Sequence, residues 1–324
     1  MLQKSLEPDL SRIVTFLVWV CLIAAKFGYT QRVLQSHDLV QSVRDKAMQL
    51  LLRRFWPQKL VCLPTPLPSK RVIQIPRVRV RYYGSRSTPV AGAATAMAGR
   101  KIRAKAQMIA AYMLEVHDDD VEFDVDRFVV KGAPERFKTM KEIAFAAYNQ
   151  AIPGIEPGLE AVSYYDPPNM TYPFGAYICV MEIDVDTGEH EIRQFYALDD
   201  CGTRINPMII EGQVHGGLTE ALAISMGQEI AYDSMGNVKT GTLMDFFLPT
   251  AWETPNYTTD HTTTPSPHHP IGAKGVGESP NVGGVPAFSN AVHDAFKPFG
   301  LRQTHMPHDH WRIWKTANDL GMHG

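Results

Sequence analysis

A glycine-rich stretch near the C-terminal end brings together one lysine and one carboxylate that could do chemistry. Residues 271–286 read Ile-Gly-Ala-Lys-Gly-Val-Gly-Glu-Ser-Pro-Asn-Val-Gly-Gly-Val-Pro. Glycines let the backbone adopt positive φ and lie against a ligand, while Lys274 can pair with an anion and Glu278 can accept a proton. Their G-x-x-G-x-G spacing supports neither a dinucleotide-binding loop nor an ATPase loop. The alternative is a tight surface loop with a solvated Glu278.

A second polar segment lies where a predicted strand gives way to a helix. Residues 200–203 read Asp-Cys-Gly-Thr, and Asn206 as N-cap with Pro207 behind it is a strong helix start signal. Gln213 follows about two turns into that helix. The alternative is that Asp200 and Thr203 have turn and capping roles, and that Cys201 is a small buried thiol.

A third polar segment is a loop that feeds a helix. Residues 83–89 read Tyr-Gly-Ser-Arg-Ser-Thr-Pro and lead into an alanine-rich run from Ala91 to Val116, with apolar residues near helical spacing. Hydroxyl groups and free backbone N–H groups at a helix N-terminus suit an oxyanion. The alternative is an ordinary serine or threonine cap.

The histidines are poor candidates for a metal site. His305, His308 and His310 form an H-x-x-H-x-H pattern that Pro307 and Asp309 interrupt, without a usual ligand geometry. The pair at 268–269 precedes a proline and is typical of a solvated loop.

The elements that position these segments indicate an α+β fold of mixed sheets with packed helices. The sequence predicts a strand over 121–130, a helix over 139–148, a β-hairpin over 175–197 with Cys179 on its apolar face, and a helix over 207–228. A further strand is expected within 229–262, and a helix carrying Trp311 and Trp314 within 301–320.

The composition is that of a globular protein with two unlike parts. The 324 residues are 44% hydrophobic with a net charge of −2, and the four widely spaced cysteines suggest a reducing, cytoplasmic compartment. Residues 1–82 carry fourteen Lys and Arg against four Asp and Glu, whereas residues 83–324 carry eighteen against thirty. This asymmetry indicates a basic appendage or a spliced reading frame.

The basic segment 1–82 is predicted to lie outside the folded domain. Its apolar run over 13–25 is expected to be a short helix of about 20 Å, less than the roughly 30 Å of a membrane's hydrocarbon core. Residues 31–56 could form a basic amphipathic helix, and the proline-rich residues 63–76 an extended linker. No reader motif accompanies the arginines, so nucleic-acid binding is not expected.

The three polar segments, in this order, resemble the molybdenum hydroxylases. Gly-Ala-Lys-Gly-Val-Gly-Glu-Ser-Pro with Val-Gly-Gly-Val-Pro is similar to their active-site glutamate loop, most of all to that of the large subunits of aerobic carbon monoxide dehydrogenases. The resemblance runs from Tyr83 to the C-terminus, and residues 83–324 would be the cofactor-binding domain. The alternatives are a related hydroxylase acting on an aldehyde or a heterocycle, and a catalytically silent remnant.

The resemblance implies a molybdenum cofactor and a set of residues that hold it. Glu278 falls where the family places its catalytic glutamate, which accepts the proton of a water molecule at the metal. The pterin dithiolene holds the molybdenum, so no protein ligand to a metal is expected. The positions that match contacts to molybdopterin cytosine dinucleotide are Tyr83, Gly84, Ser85, Arg86, Ser87, Asp200, Cys201, Thr203, Asn206, Gln213, Lys274, Gly275 and Val276.

The resemblance also implies oxidation of carbon monoxide with water to carbon dioxide, and partners that carry the electrons away. These would be a flavin-binding medium subunit and an iron–sulfur small subunit in a dimer of heterotrimers, in the cytoplasm or at the inner face of the membrane. The family's copper-binding Ala-Tyr-x-Cys-Ser-Phe-Arg loop does not occur in this sequence. The chain is therefore expected to be a truncated or frameshifted fragment, inactive alone.

Overall fold

The computed structural model describes residues 12–22 and 84–322, which form an α+β fold with two hydrophobic cores. Within these two ranges, none of the helices has both the length and the apolar character that a membrane crossing requires. In chain order the main elements are β1 (Arg12–Leu22), α1 (Ala93–Leu114), β2 (Val121–Asp124), β3 (Arg127–Val130), β4 (Ala133–Thr139), α2 (Met140–Asn149), β5 (Phe174–Asp184), β6 (His190–Asp200), α3 (Pro207–Met226), β7 (Tyr257–His261), α4 (Ser279–Phe296) and α5 (His310–Asp319).

The larger sheet has the strand order β1-β5-β6-β7. β5 and β6 form the antiparallel hairpin that the period-two pattern predicted, and β7 extends the sheet parallel to β6. The core-facing side of β5 is fully buried at Tyr177, Cys179, Met181 and Ile183. The core position predicted for Cys179 is thereby confirmed.

Residues 12–22 form a strand, so the helix predicted over 13–25 is wrong there. β1 pairs antiparallel with β5 along its whole length, from Arg12 opposite Asp184 to Leu22 opposite Phe174. The run is rich in β-branched and aromatic residues, which favour strands, and a short apolar run does not separate strand from helix by its period. β1 thus joins the domain's sheet. The predicted helix over 31–56 and linker over 63–76 lie outside the described residues, and the boundary at 83 stays a prediction.

Helices α3 and α4 pack against each other, and α4 lies across β1 and β5. α3 begins as predicted, because the side chain of Asn206 accepts a hydrogen bond from the N–H of Ile209 at 3.4 Å and Pro207 takes the first helical position. The two helices approach closely where a Cβ on Gly284 would lie 2.7 Å from the Cβ of Ala221. The start of α4 is therefore held firmly between α3 and the sheet.

The second core lies between α1, α2 and the small sheet of β2, β3 and β4. The strand predicted over 121–130 is a hairpin instead, because Val125 adopts φ 53° and turns the chain between β2 and β3. α2 begins as expected from its sequence, with Thr139 and Glu142 in a reciprocal capping box. A π-helix over Ser87–Gly92 precedes α1, so residue 85 lies just before the first helix of this second core.

Candidate functional site

Glu278 and Ser85 meet although they lie 193 positions apart in the sequence. Ser85 Oγ accepts a hydrogen bond from the backbone N–H of Glu278 at 3.1 Å and lies 3.4 Å from Glu278 Oε2. Glu278 occupies the N-cap position of α4 and remains exposed, with its carboxylate beside the positive end of the helix dipole. Ser85 adopts φ 55°, which turns the loop towards the carboxylate. The first and third polar segments of the sequence therefore form one cluster.

Gln213 of α3 joins this cluster. A Cβ on Gly277 would lie 3.1 Å from both Gln213 Oε1 and Ser85 Oγ, so both side chains reach the residue that precedes Glu278. Gln213 is exposed, as is Glu278. We call Ser85, Gln213, Gly277 and Glu278 the Glu278 cluster: it offers a carboxylate, a hydroxyl and an amide on an accessible surface.

A buried ion pair supports the loop before Glu278. Lys274 Nζ lies 3.0 Å from Asp200 Oδ1, and the two side chains are 7% and 0% exposed. Burial by itself raises the pKa of Asp200, but hydrogen bonds from the N–H of Gly202, from Lys274 and from nearby threonines outweigh it and lower the pKa. Thr262 Oγ1 donates one of these bonds to Asp200 Oδ2 at 3.0 Å. The charge of Lys274 is thus already compensated within the chain.

The backbone around this ion pair is packed without room for side chains. The N–H of Thr203 donates to the carbonyl of Gly272 at 3.0 Å, and the N–H of Lys274 donates to the carbonyl of Cys201 at 2.8 Å. A Cβ on Gly275 would lie 2.6 Å from the carbonyl oxygen of Ser85. This close approach explains why the second segment, residues 200–203, and the glycine-rich stretch are both rich in small residues.

The structure describes all predicted site residues except Tyr83, which lies outside its ranges. It brings Gly84 and Ser85 to Glu278, and joins Asp200, Thr203 and Lys274 in the supporting loop. Other predicted positions have structural roles: Asn206 caps α3, and Cys201 is buried, which raises the pKa of its thiol to about 11. Arg86, Ser87 and Val276 flank the cluster, and Arg86 contacts the sulfur of Met170 at 3.5 Å.

Sequence reasoning missed a buried group of hydrogen-bonding residues directly behind Glu278. Asp199 Oδ1 accepts hydrogen bonds from Tyr177 OH at 2.6 Å and from Ser279 Oγ at 2.7 Å. Burial raises the pKa of Asp199, an effect that these two hydrogen bonds reduce. Because successive residues of a strand face opposite ways, the two aspartates lie on different sides of β6. Asp199 bonds Tyr177 and Ser279, and Asp200 bonds Lys274. The adjacent pair of aspartates was the signal that could have revealed this group.

The glycines of the C-terminal part of the motif pack helices rather than approach a ligand. A Cβ on Gly283 would overlap the ring of Tyr177, and Gly284 faces Ala221. Of the glycines between 272 and 284, Gly272 has positive φ, at 72°. A ligand-facing glycine loop stays a prediction for residues 272–277, whereas residues 279–296 are helix α4.

The histidines have structural partners. His308 is 1% exposed, with Nε2 2.9 Å from Ser289 Oγ. His269 is also buried and accepts the N–H of Ala273 on Nδ1 at 3.2 Å, so its prediction as a solvated loop residue is wrong. In the part of the chain that the structure describes, no three His, Cys, Asp or Glu side chains are grouped to hold a metal ion.

Comparisons with known proteins relate this chain to others by sequence and by fold. Residues 74–255 match the family model of the molybdopterin cofactor-binding domain. The chain is 73% identical to the carbon monoxide dehydrogenase large chain of Afipia carboxidovorans over 241 residues, which is 74% of this chain and 30% of that one. The fold matches a crystal structure of Cu,Mo-CO dehydrogenase with TM-score 0.72 and 72% identity, over 75% of this chain and 30% of that one.

A second solved structure is similar at lower identity. Quinoline 2-oxidoreductase from Pseudomonas putida 86 matches with TM-score 0.68 and 34% identity, over 73% of this chain and 30% of that one. The chain thus spans about 30% of the length of the carbon monoxide dehydrogenase large chains that it matches.

Proposed function

Because the chain belongs to the family of molybdopterin cofactor-binding domains, we propose that it forms the part of a molybdenum hydroxylase that carries the catalytic glutamate and one side of the cofactor site. The intact enzyme would oxidise carbon monoxide with water to carbon dioxide. The observation that carries this proposal is the Glu278 cluster, in which an exposed carboxylate lies at a helix N-terminus beside a hydroxyl and an amide. The 73% identity to a carbon monoxide dehydrogenase large chain supports the choice of substrate.

The residues present suit a large polyanionic cofactor. Such a ligand needs hydrogen-bond donors in fixed positions, and backbone N–H groups of tightly packed glycine-rich loops supply donors without side-chain entropy. Lys274 forms an ion pair with Asp200 and thereby orders the loop. Its charge is thus paired within the described part of the chain. The cofactor would be held by hydrogen bonds to Gln213, to Ser85 and to the backbone of Gly275 and Val276, because the N–H of Lys274 is bonded to Cys201.

Glu278 would act as the proton acceptor. Its carboxylate is accessible and oriented by Ser85, so it can take a proton from a water molecule placed beside it. The bound molybdenum cofactor would supply the two-electron redox chemistry. Gln213 and Ser85 would orient the reacting groups, because both lie within contact distance of the residue before Glu278.

The finer parts of the proposal rest on the family resemblance. The cofactor would be the cytosine dinucleotide form, contacted by the thirteen positions named from the sequence. A copper ion would be supplied through a cysteine loop that this sequence lacks. The enzyme would include flavin-binding and iron–sulfur subunits in a dimer of heterotrimers, located in the cytoplasm.

A second candidate is hydroxylation of a nitrogen heterocycle. The match to quinoline 2-oxidoreductase at TM-score 0.68 favours it, because the same fold at 34% identity occurs in an enzyme named for a heterocyclic substrate. The higher identity to carbon monoxide dehydrogenase places this candidate second.

A chimera tests the proposal. Residues 83–324 would replace the matching part of the Afipia carboxidovorans large chain, expressed together with its partner subunits. We expect carbon monoxide oxidation by the chimera, and a loss of about 10²-fold or more in turnover with unchanged molybdenum content for Glu278→Gln. Glu220→Gln, which changes an exposed carboxylate elsewhere on α3, is the control and should stay within a few-fold. Turnover of Glu278→Gln equal to that of the control would refute the role of Glu278.

A further inference from the structure

Behind the exposed carboxylate of Glu278 lies a buried triad formed by Asp199, Tyr177 and Ser279. Both hydroxyl groups lie within 2.7 Å of the same oxygen, Asp199 Oδ1, and they are 3.3 Å from each other. Asp199 is 4% exposed, Ser279 2% and Tyr177 0%. The three side chains are therefore shielded from any ligand that approaches Glu278.

The triad fixes the beginning of α4 from the sheet side. Ser279 is the first residue of α4 and follows Glu278 directly, so the hydrogen bond to Asp199 ties the N-cap of the helix to the end of β6. One turn later, Gly283 lies against the ring of Tyr177, so that the same side chain supports the next turn. Two turns of the helix thus rest on two residues of the sheet.

The other oxygen of the Asp199 carboxylate takes no part in these two hydrogen bonds. Asp199 Oδ2 is buried and has no hydrogen-bond partner within the described part of the chain. An unsatisfied buried polar atom costs roughly 1–3 kcal/mol, and such costs concentrate at functional sites. A carboxyl group that accepts hydrogen bonds from two hydroxyl groups on one oxygen gives a defined direction to the helix start, which an apolar side chain would not.

We propose that Asp199 is a positioning residue that acts through Ser279 to hold Glu278 in its place beside Ser85 and Gln213. A catalytic effect of Asp199 rests on the proposed function, in which Glu278 accepts a proton. Its structural content, a tether from Asp199 to the N-cap of α4, concerns this chain alone.

Amide hydrogen exchange on the 324-residue chain tests the tether. Two backbone N–H groups report on the helix start: that of Glu278, which donates to Ser85 Oγ, and that of Val282, which donates to the carbonyl of Glu278. We expect Ser279→Ala and Asp199→Ala to speed exchange at both amides about tenfold, the effect of losing one or two hydrogen bonds. Asp199→Asn keeps an acceptor oxygen and should restore exchange to within about threefold of wild type.

Ser289→Ala is the matched control. Ser289 is a serine of the same helix whose hydroxyl bonds His308, so its loss removes a comparable hydrogen bond without touching the triad. In the Ser289→Ala variant, the amides of residues 278 and 282 should exchange as in wild type. If Asp199→Ala does not fold, the exchange rates of Ser279→Ala alone test the tether.

Three outcomes overturn the inference: unchanged exchange in Ser279→Ala, an equal acceleration at all amides of α3 and α4, or no rescue by Asp199→Asn. None of them depends on cofactor or turnover. Failure of the tether is thus separate from failure of the proposed function, which the chimera and Glu278→Gln test.

Discussion

Lys274 and Asp200 form an ion pair in which neither charge has ready access to water, with 3.0 Å between Nζ and Oδ1. Removing one partner of such a pair leaves the other charge buried and uncompensated. We expect Lys274→Met to lower the free energy of unfolding by about 3–5 kcal/mol, measured by urea denaturation. Lys315→Ala removes the exposed pair with Asp319 and should cost no more than about 1 kcal/mol. Equal effects of the two variants would contradict the importance of burial.

Two glycines of neighbouring helices should respond in opposite directions to alanine. Gly283→Ala places a Cβ inside the ring of Tyr177, so overpacking should destabilise the chain by about 1–3 kcal/mol. Gly212→Ala adds a methyl group to an exposed position of α3 with nothing within 4 Å, which should stabilise the helix by roughly 0.5–1 kcal/mol. Thermal unfolding of the two variants checks both signs. A stabilising Gly283→Ala would show that α4 does not rest on Tyr177.

Acid should destabilise the domain through its buried histidines. Burial lowers the pKa of His308 from 6.5 to about 4, and does the same for His190. In the unfolded chain these residues take up protons below about pH 6.5, whereas the folded chain does so only near pH 4. The contribution to stability is therefore full above pH 6.5 and is lost as pH falls towards 4, by up to about 3 kcal/mol for each histidine.

The variant His308→Asn provides the test of this pH dependence. Its free energy of unfolding should fall less steeply between pH 6.5 and 4 than that of wild type, because one of the buried titrating histidines is gone. Chemical denaturation at several pH values measures the slope. Identical slopes in the two proteins would show that His308 does not titrate in this range.

Limited proteolysis should locate the boundary of the domain. The sequence predicts first cleavage by trypsin between residues 64 and 81, and a resistant piece that starts near Tyr83. Because β1 pairs with β5 over eleven residues, we expect the N-terminal piece to stay bound to the resistant piece during size exclusion under native conditions. Mass spectrometry of the eluted peak identifies both. Protection of residues 64–81 with cleavage inside 84–322 would show that the boundary is wrong.

Local signals allowed much of the fold to be predicted. The Asn206–Pro207 start of α3 and the alternation of β5 depend on neighbours in sequence, so they could be read without the structure. The segment 12–22 could not, because an edge strand is decided by its pairing with β5, which lies more than 150 residues away. The turn at Val125 was missed because a non-glycine residue with positive φ carries no reliable local signal.

The candidate site was predictable to a smaller extent. The resemblance singled out Glu278, Ser85 and Gln213, which belong to three separate motifs, and the structure brings all three to Gly277 or Glu278. Their roles at a cofactor stay predictions. The notion that Lys274 compensates charge on the cofactor stays a prediction, and the ion pair of this lysine with Asp200 was not foreseen from the sequence. Asp199 has no motif of its own, and its role depends on a hydroxyl eighty positions later in the chain. Such support from a distant element is a property of tertiary packing.

The hydrogen bond between Ser85 and Glu278 forms a seam between residues 193 positions apart: Ser85 precedes α1 of the second core, and Glu278 is the N-cap of α4 of the first. Long loops close slowly, so each core should condense before this seam does, and contacts across it should be absent from the folding transition state. Ser85→Ala should then accelerate unfolding and leave the folding rate unchanged in stopped-flow measurements. During biosynthesis, the nascent chain would accordingly pass through a stage in which both halves are formed and the gap between them still admits a bulky molecule.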